Sequence, residues 1–147
     1  MEGTLKMRSR YASGLIAVLV GMALNIIGDL ALGVSIEHFS GVATFTIWWM
    51  LDIFLVPFIV GLAVARMFGN GSKWLACLPP LLVRGLSYLY LYYSDSKGDF
   101  FLDLHLFYWG PCVILVVESA NFGAILGEVL VGVYGRGRQQ LSHQLAK

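Results

Sequence analysis

Apolar residues run along this chain in four long stretches, at approximately residues 11–34, 41–64, 74–93 and 107–134, each broken only by isolated polar positions. A helix needs about 20 residues to cross the hydrocarbon layer of a bilayer, so each stretch predicts one transmembrane helix. The connections between them are short. The expected architecture is all-α: a compact bundle of four transmembrane helices forming one transmembrane domain over residues 1–147, with no separate soluble module.

Composition agrees with this pattern. The chain is 58% hydrophobic and 13% charged, against roughly 25% charged in soluble domains. The basic residues sharpen the reading. Lys6, Arg8 and Arg10 precede the first stretch, Arg66 and Lys73 lie between the second and third, and Arg136, Arg138 and Lys147 follow the fourth. Lys97 alone falls on the other side, and Arg84 lies inside the third stretch. Basic residues gather on the cytoplasmic side of membrane proteins, which places both termini in the cytoplasm. Such a rim also attracts anionic headgroups, though its plainer meaning is topology. The basic-inside pattern and the brevity of the chain point to a cell membrane, with a bacterial inner membrane as the expected location. The first stretch, ending in "ALG" at Ala31, Leu32 and Gly33, has the outline of a cleavable signal. It exceeds the usual apolar core of roughly 7 to 15 residues and contains Asn25 and Asp29, so an uncleaved span is expected. Cys77 and Cys112 fall near opposite ends of their spans, too far apart to bridge.

Small residues predict where helices approach one another. Gly14, Gly21 and Gly28 recur every seventh position of the first span, and the fourth carries Gly123-x-x-x-Gly127. Helix contacts in lipid depend on close backbone approach, which such spacing allows. These two spans are therefore the expected close-packing elements, within the chain or against another copy. Pro57, Pro111, Pro79 and Pro80 each remove an amide donor. Pro111 falls in a first turn, whereas Pro79 and Pro80 should kink the third span below Arg84 and leave the carbonyls of Leu75 and Ala76 without helical partners. The run "SYLYLYY", Ser87 to Tyr93, together with Trp74, Trp109, Tyr11 and Tyr134, reads as an interfacial aromatic belt. The stretches "IGDLALGV" and "LGEVLVGV" echo each other weakly in the first and fourth spans.

The chemistry lies in the polar residues within the spans. At about 1.5 Å per residue, Asp52 and Glu118 each sit about 16 Å below the outer boundary and Arg84 about 15 Å above the inner one, in a layer roughly 30 Å thick. An acid, a base and an acid thus share one expected level. A charge at the bilayer centre costs about 2.5–3.5 kcal/mol on insertion scales, so an inward-facing cluster of Asp52, Arg84 and Glu118 is expected, with the planar fork of Arg84 serving two acceptors. Asn121 shares the face of Glu118. Asp29, with Asn25 one turn below it, falls in the outer third of the first span. Glu128 falls near the inner boundary, where water can meet it. One base among two or three acids leaves excess negative charge that calls for a proton, a cation or a basic partner.

Other chemistries find little support. No histidine lies at depth to ligate haem: His38 and His105 are in or beside outer loops and His143 is in the tail. Asp95, Asp99, Asp103 and His105, with Glu37 and His38, offer oxygen and imidazole donors to a divalent metal, but the spacing matches no specific site and an acidic solvated loop is the expectation. No phosphate-binding loop, nucleophile elbow, Cys-x-x-Cys pair or nucleic-acid-binding pattern is present, and no cofactor is expected. Two classes of function remain. One is a proton- or cation-linked transport or channel component, oligomeric because four spans barely enclose a pathway. The other is a noncatalytic subunit or assembly factor of a larger membrane complex. An enzyme working at the outer surface through Asp99, Asp103 and His105 trails both.

The charge partition yields a topology test. In a chain with Cys77 and Cys112 replaced by Ser, a cysteine placed at Ser94 should react with a membrane-impermeant maleimide only from outside intact cells. Labelling from the cytoplasmic side alone would reverse the orientation.

Overall fold

The computed structural model describes residues 2–34, 45–94 and 105–132, and every regular element among them is a helix. In chain order these are α1 (Glu2–Leu32), α2 (Ile47–Phe68), α3 (Ser72–Ala76), α4 (Leu78–Ser94) and α5 (His105–Leu130). Among the described residues, three segments, Arg10–Leu32, Ile47–Phe68 and Gly110–Leu130, are long and apolar enough to cross a membrane. Their outward faces carry large exposed apolar side chains, among them Leu15, Leu30, Ile47, Phe54, Ile114 and Phe122. In water such a surface would aggregate, whereas in lipid it is the ordinary exterior. The protein is a multi-pass membrane protein.

The second and third spans differ most from expectation. The second helix was expected from Gly41, but α2 begins at Ile47, where the hydroxyl of Thr46 accepts the Trp49 amide at 3.3 Å and caps the first turn. The third span was expected to kink at its prolines; instead it breaks. Cys77 separates the five-residue α3 from α4, and Pro79 and Pro80 occupy the first turn of α4. The amides that proline lacks are not needed in that turn, so two prolines that would disrupt a helix interior start one here. α4 has 17 residues and carries Arg84. A glycine-bracketed turn joins α2 to α3: Gly69 and Gly71 have φ of 77° and 85°, and the Gly69 amide closes α2 on the Ala65 carbonyl at 2.9 Å. Arg10 of α1 donates to the Asn70 carbonyl in this turn at 3.1 Å, so Arg10, Arg66 and Lys73 gather at one end of the bundle.

The tightest contact is between α2 and α5. A methyl group added at Gly61 would run into the Ala120 carbonyl, and one at Gly123 into the Phe58 carbonyl. One added at Gly127 would lie 2.5 Å from the Ala65 methyl. Ser119 ties the same seam by donating to the Phe54 carbonyl at 2.5 Å. Buried side chains fill the space on either side: Trp49 and Ile53 with Cys112 and Val116 at one end, Val60, Val64, Ala65 and Ala124 with Ala17 and Ala76 at the other. The heptad glycines of α1 are used as well. Gly14 faces Phe68, Gly21 faces Pro79 and Val60, and Gly28 faces Val56. Thus α1 packs on α2 and α4, and α5 packs on α2, α3 and α4, while α1 and α5 barely touch each other.

The seam makes a steric prediction. Gly61→Leu and Gly123→Leu should each destabilise the protein in detergent by at least about 1–3 kcal/mol, the usual cost of overpacking. Gly85→Leu, whose added carbon meets nothing within 4 Å, should leave the melting temperature nearly unchanged. Equal melting temperatures for all three variants would mean that the seam is looser than described.

Candidate functional site

Arg84 is the side chain on which the polar interior converges. Its Nη2 donates to Asp29 Oδ1 at 2.8 Å and to Asp52 Oδ2 at 3.1 Å, so one guanidinium nitrogen joins α1, α2 and α4. The fold sets this up at the helix ends. Asp29 is three residues before the end of α1, where Gly33 takes φ 63° and the Val34 amide returns to the Asp29 carbonyl at 3.3 Å. Asp52 is five residues past the start of α2, or about 8 Å along its axis. The cluster accordingly sits toward the end where α1 finishes and α2 begins, which for Asp29 is the outer third expected of it, whereas Asp52 lies nearer its helix end than expected because α2 starts later than its apolar pattern does. The Arg84 side chain is 2% exposed, Asp52 0% and Asp29 17%, which makes Asp29 the member that reaches the bundle surface.

One guanidinium between two carboxylates leaves a formal charge of −1 when all three ionise. One turn before Asp29, the fully buried Asn25 has no hydrogen-bond partner for either amide atom among the described residues. Buried amides usually find hydrogen-bonding partners, so Asn25 adds a second polar group to this part of the interior. Asn121 is half-buried on α5, and its Oδ1 likewise has no partner among the described residues. No group of three or more His, Cys, Asp and Glu that could hold a metal ion occurs among the described residues.

The expected third member of the cluster requires correction. Glu118 is exposed and makes no contact with Arg84; Asp29 takes that place. The reason is the rotation of α5. At 100° per residue, Cys112, Val116, Ala120, Gly123, Ala124 and Gly127 all fall within about 60° of the direction opposite Glu118. Because α2 packs on those small residues, Glu118 is turned outward, among the exposed Ile114, Phe122, Ile125 and Val129.

Glu128 also differs from expectation. It is 1% exposed, and its Oε1 accepts the Ser72 hydroxyl at 2.8 Å and, more weakly, the Lys73 amide at 3.4 Å. It ties the end of α5 to the start of α3 and does not face water. The loop residues Glu37, His38, Asp95, Asp99 and Asp103 lie outside the described residues, as does the side chain of His105. Sequence reasoning missed Gly61, although Gly61-x-x-x-Ala65 is the same small-residue spacing it recognised in α5. It also missed Ser119, which no pattern distinguishes from other membrane serines.

The chain matches no protein-family model, no curated protein and no solved structure.

The Glu128 contact predicts its own cost. Ser72→Ala removes a donor from a buried carboxylate and should lower stability by about 1.5–3 kcal/mol, the range for hydrogen bonds to charged groups. Urea titration in mild detergent reads this, and an unchanged midpoint would mean that Ser72 contributes nothing to the α3–α5 junction.

Proposed function

We propose that this chain is a component of a proton- or cation-linked membrane transporter or channel, with Asp29, Arg84, Asp52 and Asn25 as its polar centre. In this reading α3 and α4 together form the fourth crossing, both termini are cytoplasmic, and several copies or a larger complex complete the pathway. The carrying observation is a buried guanidinium shared by two carboxylates, with the fully buried Asn25 one turn before Asp29 and without a hydrogen-bond partner among the described residues. Intramembrane ionisable groups characteristically mark ion and proton paths. Two carboxylates and an amide, one carboxylate reaching the surface, suit a proton or a compact monovalent cation better than a transition metal, which prefers imidazole or thiolate donors.

A second reading, a noncatalytic subunit of a membrane complex, draws on Glu118. This carboxylate lies midway along α5 on its outer face, flanked one turn away on each side by Ile114 and Phe122, which are 63% and 65% exposed. A basic residue in a neighbouring protein's helix would satisfy it. Under this reading the Arg84 cluster only fixes how α1, α2 and α4 fit together.

The two readings diverge in one experiment. Arg84→Ala should cost about 3–5 kcal/mol, since it leaves buried acids without their base. The triple variant Asp29→Leu, Arg84→Met, Asp52→Leu removes the whole charge set and should fold, because apolar replacement of a buried ion cluster is often neutral or stabilising. In vesicles carrying an entrapped pH-sensitive dye, with K⁺ and Na⁺ gradients imposed in turn, wild-type protein should pass at least one of these ions and the triple variant none. A folded triple variant with wild-type flux would end the transport reading. Loss of a larger native assembly in Glu118→Leu, with flux absent throughout, would favour the subunit reading.

A further inference from the structure

A groove of about 720 Å³ runs between α1, the end of α2, α3 and the start of α4, away from the Arg84 cluster. Its volume is that of a small-molecule site, typically 300–1,000 Å³. Leu15, Val18, Leu75, Leu78 and Leu82 line it, and Arg10 is the one charge among the described residues of its lining. Gly14 keeps the wall low: an added methyl there would lie 3.3 Å from the Phe68 ring.

Arg10 is held in place. Its Nη2 donates to the Asn70 carbonyl at 3.1 Å, and its guanidinium carbon lies 5.3 Å from the centre of the Phe68 ring. A guanidinium has five N–H donors, so most of its donors remain for an anion at the groove mouth. The end of the bundle where Arg10 lies also carries Arg66 and Lys73. From Arg10 to Val18 the apolar wall extends about 12 Å. One charged end and an otherwise hydrocarbon lining are the complement of an amphiphile with a single negative head, and Tyr11 and Leu15 of this lining are exposed on the outer face of α1.

We propose that this groove binds an anionic phospholipid, its phosphodiester on Arg10 and an acyl chain lying over Leu15, Val18, Leu75 and Leu82. The site is independent of the transport reading, since it shares no residue with the Arg84 cluster. Its ligand tethers α1 to the α2–α3 turn, the only place where Arg10 reaches across the bundle among the described contacts.

The test uses full-length protein in mild detergent with dioleoyl phosphatidylglycerol or dioleoyl phosphatidylcholine, and native mass spectrometry reads the bound lipid. Wild-type protein should retain the anionic lipid about fivefold better, the preference one basic residue confers. Arg10→Gln should abolish that preference. Because Arg10 also supports the Asn70 turn, a second variant leaves it intact: Leu82→Trp fills the groove and should reduce retention of both lipids. Equal retention of the two lipids by wild-type protein would overturn the proposal. So would an undiminished preference in folded Arg10→Gln, or wild-type retention in Leu82→Trp. Displacement of the lipid by millimolar inorganic phosphate would also overturn it, by assigning Arg10 to a free anion.

Discussion

The backbones of α2 and α5 touch, and the rest of the arrangement follows from that contact. Lipid supplies no hydrophobic drive between helices, so association rests on close packing and a few polar bonds. Gly61, Gly123 and Gly127 bring the two helices near enough for the Phe58 and Ala120 carbonyls to fill the space where side chains would stand. A seam so narrow fixes the rotation of both helices. On α2 it directs Trp49 and Ile53 toward Cys112 and Val116; on α5 it turns Glu128 inward and Glu118 outward. The other helices are then accommodated around α2.

Two polar ties secure the two ends of this frame. At one end Glu128 takes the Ser72 hydroxyl, fixing the short α3 against α5. At the other, Arg84 takes Asp29 and Asp52, fixing α4 against α1 and α2. Both ties join elements separated by more than fifty residues, except the Asp52–Arg84 pair, separated by 32. In a low-dielectric interior each charged group must find its partner or lose much of the stability it could contribute. A bundle with one such tie at each end resists sliding of its helices past one another, because a shift of one turn would separate both sets of partners.

What was legible in the sequence follows from how local each signal is. Long apolar stretches require no knowledge of neighbours, so the helical, membrane-embedded character could be read directly, as could the glycine stripe of α1 and the Gly123/Gly127 pair. The association of Asp52 with Arg84 was legible because few ionisable residues lie within the spans. Its second acid was not. Choosing between Asp29 and Glu118 depends on which face of α5 meets α2, and that is decided by Gly61 on a different helix. The start of α2 was misplaced because residues 41–46 are as apolar as a helix interior, while the capping signal is a single threonine. Two adjacent prolines looked like a kink for a similar reason: proline disturbs a helix interior and suits a first turn, and only the position of the break at Cys77 distinguishes the cases.

The chain has one basic residue within its described helical interior, and two aspartates share it. Glu118, midway along α5 and facing away from the seam, is out of its reach. An acid in hydrocarbon is met by a proton, by water or by a base, and here the base within the bundle is already engaged. Rotating α5 to bring Glu118 inside would place its side chain where the seam admits only small residues, separating α2 from α5. The packing that builds the bundle therefore also leaves one carboxyl on its outer face, to be met by something other than Arg84.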